Sequence, residues 1–308
     1  MNPSDVRLDA HGFPIPPTLG PLQAAESPEA PRRTPRGTFT LRLLLILLAL
    51  GAGTMAIVRA ELGEPISRRV AEWLAGHAFQ KQAADDLDGA LRDLDRALAW
   101  TDKSAQIYAF RGTVRLEKGD LEGSLADFNR VISLAPTSSD AFELRSMCLQ
   151  RMERHDDAIR DINEAVRMYR AAPHLLNSRA YIRAIANREL DEALADIQQA
   201  LEMEPDNAHY LDTRGYIYYL RGEDGEALKD LDRALEIAEQ QVPTGMFLAN
   251  HPHRGRVLAR AIRRHENAMA VMYHHRGLVH ERLGHSELAE ADLRQGDAFG
   301  YNPAAGVY

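Results

Sequence analysis

The chain has 308 residues, a net charge of −8 and a single cysteine, Cys148. This acidic balance argues against nucleic acid as a general partner, and one cysteine cannot form an internal disulfide. The sequence contains no Gly-x-Ser-x-Gly elbow, no His-Glu-x-x-His helix and no phosphate-binding loop followed by lysine. It therefore predicts neither catalysis nor a cofactor or metal.

The first segment, residues 1–37, is rich in Pro, Ser and Ala. A segment of this composition buries too little apolar surface to offset the entropy lost on ordering, so we predict a disordered tail. The tail acts either as a plain tether or as a proline-rich ligand that a partner recognises in an extended conformation.

The second segment, residues 38–60, is predicted to be a transmembrane helix. Residues 43–58 are uncharged and strongly apolar, and the residues before Arg42 extend the run to the roughly 20 residues that a span needs. Arg42 can reach the headgroup region with its long side chain. A cleaved signal peptide is the alternative, although the leader of about 40 residues before the apolar run is long for one.

The orientation of this span depends on its flanking arginines. Arginine is more frequent before the apolar run, whereas the linker after it, residues 61–70, also carries glutamate. Positive charge is retained on the cytoplasmic side of membranes, so we predict a single-pass protein with a cytoplasmic N-terminus and the remaining chain across the membrane.

Six copies of one pattern fill residues 71–303. Each copy has a small residue, a second small residue twelve or thirteen positions later, an apolar residue four beyond that and a third small residue three further on, where Val131 is the bulky exception. The second small residue recurs at spacings of 34, 34, 35, 34 and 62. It is Ala90, Ser124, Ala158, Ala193, Ala227 and Ala289. This period predicts a solenoid of stacked helical units.

The pattern resembles the tetratricopeptide repeat (TPR). Two copies, the second and the fifth, carry many of the residues that mark this family. They are Tyr108, Gly112, Phe128, Pro136, Gly215, Tyr218, Ala227 and Ala234. The resemblance implies an all-α superhelical solenoid of about six antiparallel helix pairs. It also implies a concave groove that binds peptides or protein segments, and no enzymatic chemistry.

Two charged columns accompany the repeats. Arginine precedes the first small residue in five copies, at Arg111, Arg145, Arg179, Arg214 and Arg276. Aspartate precedes the apolar residue in all six, at Asp93, Asp127, Asp161, Asp196, Asp230 and Asp292. The repetition predicts a fork-shaped Arg–carboxylate bond in each unit, such as Arg111–Asp127, Arg145–Asp161 and Arg214–Asp230, or a bond to the Asp of an adjacent unit. Six equivalent carboxylates indicate a structural device rather than an active site.

An insertion at about residues 240–268 separates the fifth and sixth copies. It is locally basic, and seven of the twelve histidines cluster in and just after it. These histidines lack the sharp spacing of metal ligands, so a metal-dependent enzyme is only a third hypothesis.

The resemblance also implies which residues line the groove. In the fourth to sixth copies these are His174, Asn177, Tyr181, His209, Asp212, Tyr216, Tyr219 and His274. In the first three copies they include Glu72, Phe79, Gln106, Asp140, Glu143 and Gln150. We expect the three tyrosines to be partly exposed, because tyrosine combines a large contact area with a polar hydroxyl and suits a binding hot spot. The alternative is that these tyrosines pack against neighbouring helices.

The sequence thus supports two main hypotheses of function. In the first, the chain is a membrane-anchored scaffold that holds a segment of a protein partner in its groove. In the second, it is a structural subunit, and the span and the basic insertion organise a larger membrane complex.

Overall fold

The computed structural model describes residues 52–169, 172–243 and 254–301. The predicted tail at 1–37, and residues 38–51 of the predicted membrane helix, lie outside these ranges. The chain divides into two units, residues 1–67 and 68–308. No helix among the described residues is both long and apolar enough to span a membrane.

Twelve α-helices and no β-strand form the described part of the chain, in agreement with the predicted all-α class. In chain order they are α1 Ala52–Ala83, α2 Leu87–Trp100, α3 Ala105–Lys118, α4 Leu121–Leu134, α5 Ser139–Arg151, α6 His155–Met168, α7 Pro173–Ile185, α8 Leu190–Met203, α9 Ala208–Arg221, α10 Asp224–Gln240, α11 Arg254–Arg282 and α12 Ser286–Ala298.

Consecutive helices from α2 onward pack against each other in chain order. Helices α3, α5, α7, α9 and α11 begin the second to sixth copies, and each contacts both the helix before it and the helix after it. Helix α1 supplies the first helix of the first copy, and an ion pair of 2.5 Å from Lys81 to Asp93 ties it to α2. The repeated units are therefore helix pairs stacked on their sequence neighbours.

The small residues lie where the two helices of a pair approach most closely. A Cβ atom built on Gly112 would lie 2.7 Å from a ring carbon of Phe128, and one built on Gly215 would lie 2.7 Å from Cγ of Leu231. Both partners belong to the apolar column and are fully buried. Because packed interiors leave no room for additional atoms, the small column is required by the approach of the helices.

The ends of the helices are defined by local hydrogen bonds. The carboxylate of Asp120 accepts a hydrogen bond from the backbone N–H of Gly123 at the start of α4, and Ser138 does the same for Ala141 in α5. These side chains satisfy N–H groups that have no partner within the helix. In α1 the helical geometry breaks at Gly63, whose φ of 75° only glycine adopts readily.

The arginine and aspartate columns meet within each unit. Arg111 donates from Nε and Nη2 to the two carboxylate oxygens of Asp127, at 2.9 and 2.6 Å. Four other pairs form the same two-pronged bond. They are Arg145–Asp161, Arg179–Asp196, Arg214–Asp230 and Arg276–Asp292. The aspartates are buried, so each bond links the first helix of a unit to the core side of the second.

The third donor of these arginines reaches the preceding unit. Nη1 of Arg111 donates to Asp95 at 2.7 Å, and three other arginines repeat the contact with a residue two positions after the aspartate of the unit before. These contacts are Arg145–Asn129, Arg179–Asn163 and Arg276–Asp232. One guanidinium therefore joins three helices, and the column holds neighbouring units together as well as closing each unit.

The first unit lacks this arginine, because His77 precedes its small residue. Its aspartate, Asp93, is paired instead with Lys81, one turn further along α1. Arg115 and Arg183 occupy the equivalent position in the second and fourth units and also bind the unit's aspartate, at 2.8 and 2.7 Å. A cation from the first helix thus meets the buried aspartate in the first unit as well.

We expect Asp230→Ala to lower the free energy of unfolding by about 3 kcal/mol, because it leaves the guanidinium of Arg214 without its buried acceptor. The hydrogen bond to Asp230 also raises the pKa of Arg214, so the cation cannot escape the site by losing a proton. Urea unfolding of the purified protein measures the change.

A matched control lies on the same helix. Glu226 is exposed and pairs with Lys229 at 3.6 Å, so Glu226→Ala should change the stability by no more than about 0.5 kcal/mol. The double variant Arg214→Leu, Asp230→Ala should recover part of the loss. Equal stability of Asp230→Ala and Glu226→Ala would show that the two-pronged Arg214–Asp230 bond does not stabilise the fold.

Candidate partner-binding surface

The eight residues predicted to line the groove in the fourth to sixth copies lie on α7, α9 and α11. We refer to these residues as the tyrosine–histidine surface. They are His174, Asn177, Tyr181, His209, Asp212, Tyr216, Tyr219 and His274. Helix α9 contacts both α7 and α11, so the structure places these side chains on three adjoining helices.

Burial separates this set into two groups. Asn177 and Tyr181 are each 7% exposed and Asp212 is fully buried, whereas the other five are half-buried. The expected partial exposure of Tyr181 is therefore wrong. Helix α7 is flanked by both α5 and α9, and Tyr181 belongs to the packed interior. Only the half-buried members offer atoms to a partner.

Tyr216 and Tyr219 are held in fixed orientations by stacked neighbours. The ring of Tyr216 lies parallel to that of His275 at 4.2 Å and is also stacked with that of Tyr219 at 6.2 Å. His275 in turn donates from Nδ1 to the buried carboxylate of Asp212 at 2.9 Å. The guanidinium of Arg282 lies 3.9 Å from the centre of the Tyr219 ring, within the range of a cation–π contact.

Sequence reasoning did not single out His275 as part of this surface. It lies next to His274, and the helical period alone would direct it away from the predicted groove positions. The structure shows that it is 5% exposed and connects a buried aspartate to the tyrosine pair. Its signal in the sequence is the His-His dipeptide, which does not reveal which ring is buried.

His274 has a different environment from its neighbour. Its ring stacks on Tyr301 at 3.9 Å. Burial, assisted by the nearby charge of His275, lowers the pKa of His274 to about 4, so this imidazole is neutral at physiological pH. Burial also raises the pKa of Tyr216, which keeps its hydroxyl protonated. The exposed part of this surface is therefore aromatic and uncharged at these two positions.

A second polar cluster surrounds Glu143 on α5. Its carboxylate accepts a hydrogen bond from Oγ of Ser178 at 2.9 Å, and Nε2 of His174 lies 3.9 Å from its other oxygen. Burial, with the charge of Asp140, raises the pKa of Glu143 to about 7. Burial lowers the pKa of His174, so this pair is not a strong ion pair at neutral pH. Glu143 was predicted only as one groove position among several.

The predicted groove positions of the first units are more open. Phe79 is 54% exposed, and its ring lies 6.4 Å from that of Phe110 on the next first helix. Glu72, Gln106 and Asp140 are exposed, and Gln150 is half-buried. The structure therefore has an aromatic pair with one exposed ring, Phe79, at the N-terminal end of the repeats as well as the tyrosine pair further along.

The histidines of the insertion do not gather at a metal site within the described residues. Across residues 52–169, 172–243 and 254–301, no three or more His, Cys, Asp or Glu side chains are placed to hold a metal ion. His251 and His253 lie outside these ranges. His280 and His285 approach each other, with their Nδ1 atoms 3.3 Å apart.

Comparison with known families identifies the repeated unit. The model of the tetratricopeptide repeat matches residues 81–139 and 182–242, which together are less than half of the chain. These two stretches are similar to tetratricopeptide repeats. The matched residues include the tyrosine pair and the arginine columns of the second and fifth units. No curated protein matches the sequence.

Solved structures show the same TPR fold over a longer stretch. A tetratricopeptide repeat protein from Parabacteroides merdae ATCC 43184 is 17% identical, with a TM-score of 0.52 over 76% of this chain and 95% of its own. PilW, a type IV pilus biogenesis factor, is 15% identical, with a TM-score of 0.57 over 77% and 96%. The APC/C hetero-tetramer Cut9–Hcn1 is 12% identical, with a TM-score of 0.59 over 88% of this chain and 48% of the matched one. At these identities the likeness establishes the fold.

Glu143 should make stability depend on pH. Its folded-state pKa of about 7 is above the ordinary 4.5, so the stability that it contributes is complete below pH 4.5 and is lost as the pH rises through 7. We expect Glu143→Gln, which stays neutral, to be more stable than the parent by about 2–3 kcal/mol at pH 8 and nearly equal to it at pH 5. Urea unfolding at the two pH values measures both differences.

Glu122 on α4 provides the control, because it is exposed and its replacement by Gln removes the same charge without a buried site. Glu122→Gln should show no comparable gain at pH 8. A Glu143→Gln variant whose advantage is the same at both pH values would contradict a buried, protonated carboxyl.

Proposed function

We propose that this chain is a membrane-anchored scaffold that binds a segment of a protein partner through the half-buried part of the tyrosine–histidine surface. The observation that carries the proposal is the ordered pair Tyr216 and Tyr219, stacked on each other and supported by His275 and Arg282. A partner segment would lie across α7, α9 and α11, where the five half-buried members are found.

Side chains that become ordered on binding lose conformational entropy. Each rotamer-rich side chain immobilised on binding costs about 0.5–1.5 kcal/mol. The two tyrosines are already held by ring stacking, and the buried Asp212 fixes the ring on which Tyr216 lies. They therefore offer large apolar faces at a reduced entropic cost, which is the property of aromatic hot spots in interfaces.

We propose a binding role without catalysis. The buried aspartates recur in each unit with a cation from the first helix, which is the arrangement of a structural element. Burial raises the pKa of Glu143 and the hydrogen bond from Ser178 opposes that rise, so we assign this carboxyl a packing role.

The membrane anchor is the second part of the proposal. It rests on the uncharged apolar run at residues 43–58 and on the arginines that flank it. In this arrangement the N-terminus is cytoplasmic, and the repeats lie on the opposite side of the membrane and meet their partner there.

The double variant Tyr216→Ala, Tyr219→Ala should bind the partner at least about tenfold more weakly than the parent, because it removes the ordered aromatic faces. The measurement is capture from detergent-solubilised membranes of the native host, with quantitative mass spectrometry of the proteins retained by the parent and by the variant. Proteins lost selectively from the variant are the partners, and binding is then measured with each of them purified.

Tyr169→Ala is the matched control, since Tyr169 is 40% exposed, follows the last residue of α6 and is not a member of the tyrosine–histidine surface. The control should retain the partner, and thermal unfolding should show that the double variant remains folded. A partner retained equally by both variants would place the binding site elsewhere on the repeats.

We expect the full-length protein to remain with the membrane fraction after carbonate and high-salt washes, because a spanning helix is released only by detergent. Protease added outside spheroplasts should digest the repeats and leave the N-terminal tail protected. A shortened chain in the soluble fraction would instead support a cleaved signal peptide, and protection of the repeats would reverse the orientation.

A further inference from the structure

The N-terminal half of α11, residues 254–268, reaches back to the first two repeat units. We call this segment the strap. Arg260 donates from Nη1 to the backbone oxygen of Gln82 at 2.8 Å and from Nη2 to both carboxylate oxygens of Glu117, at 2.8 and 2.6 Å. Arg263 lies 3.3 Å from the carboxylate of Asp85. These contacts join residues that are separated by 143 to 178 positions in the sequence.

The receiving surface is acidic and is built from the ends of two first helices. We call it the acidic rim: Glu117 near the end of α3, Asp85 in the turn after α1, and the backbone oxygen of Gln82 in the last turn of α1. The side chain of Gln82 donates to Glu117 at 2.8 Å and orients the carboxylate. Carbonyl groups at a helix C-terminus carry partial negative charge and add to the attraction for a cation.

The strap is held by this charged contact together with partial burial of apolar side chains. Val257, Leu258 and Ile262 are half-buried, and from residue 257 to residue 268 no side chain is fully buried. The side chain of Arg260 is nevertheless only 14% exposed. A segment with one well-enclosed anchor and no fully buried apolar side chain from residue 257 to residue 268 can be released without opening the hydrophobic core.

The rim also adjoins apolar surface that the strap leaves uncovered. Phe79, one turn before Gln82 on α1, is 54% exposed with the strap in place, and its ring contacts that of Phe110. A ligand that supplies both an arginine and a neighbouring apolar side chain would therefore make contacts that the strap does not make. The site favours arginine over lysine, because one planar guanidinium reaches the Gln82 carbonyl with Nη1 and the Glu117 carboxylate with Nη2.

We propose that the acidic rim is a docking site for an arginine-bearing helical segment, that the strap occupies this site as an internal ligand, and that a basic segment of the protein partner displaces it. This proposal extends the proposed function by naming a second contact and the chemistry of the segment that it receives. Binding at the rim competes with the strap, so the rim becomes available only when a partner supplies a better arginine-bearing helix.

The test uses the full-length protein and a fluorescein-labelled peptide with the sequence of residues 254–268. In the variant Arg260→Ala, Arg263→Ala the strap has lost its anchor, and the peptide should bind this variant at least tenfold more tightly than it binds the parent. Adding Glu117→Gln to that variant should weaken peptide binding at least tenfold. A peptide in which the arginine at position 260 is replaced by lysine should also bind more weakly, because one ammonium has no second nitrogen to reach Gln82 while it holds Glu117.

Hydrogen exchange reports on the strap without the peptide. Either Arg260→Ala or Glu117→Gln should accelerate exchange of the amides of residues 254–268 by tenfold or more and leave α7 to α10 unchanged. Equal peptide affinity for the parent and the released variant, absence of binding to both, or strap amides unaffected by the two substitutions would each overturn the proposal. These readouts do not involve Tyr216 or Tyr219, so failure here is distinct from failure of the tyrosine surface.

Discussion

The structure depends on how closely the two helices of each unit approach. At Gly112 and Gly215 a single added carbon would collide with the apolar residue of the facing helix. This approach brings the backbone of the first helix close to the second helix. Arg111 and Arg214, which precede these two glycines, can then each form two hydrogen bonds to a buried aspartate of the second helix. Packing and ion pairing are thus set by neighbouring positions of the same helix.

The arginine column also explains how the units are kept in order. Because the third donor of Arg111 reaches Asp95 in the preceding unit, the bond that closes one unit also fixes its neighbour. An exposed ion pair contributes little to the free energy of unfolding, whereas a buried carboxylate that loses its cation is strongly destabilising. The buried pairs therefore favour one arrangement of the helices in each unit. Ordered units in turn set the spacing of α7, α9 and α11, on which the tyrosine–histidine surface lies.

The two ends of the repeats differ in the way they present binding groups. Around Tyr216 the aromatic ring is stacked on His275, which is bonded to the buried Asp212. At the first two units, Phe79 is open and the adjacent Glu117 is engaged by Arg260 from a distant part of the chain. The region around Tyr216 is ordered by ring stacking between neighbouring helices. At the first two units, the strap contacts the acidic rim through charged groups and leaves Phe79 exposed.

The sequence by itself determined the helical class, the repeated unit and the types of residue in each column, because these follow from local periodicity and from small residues at a fixed spacing. It indicated the arginine and aspartate columns. The bond from Arg111 to Asp95 in the preceding unit was not predicted, because it depends on how each unit is rotated relative to the one before it. Tertiary structure alone decided that Tyr181 is buried while Tyr216 is half-buried, and that Arg260 meets Glu117. Such contacts join residues far apart in the chain, and local patterns carry no information about which distant surfaces will meet.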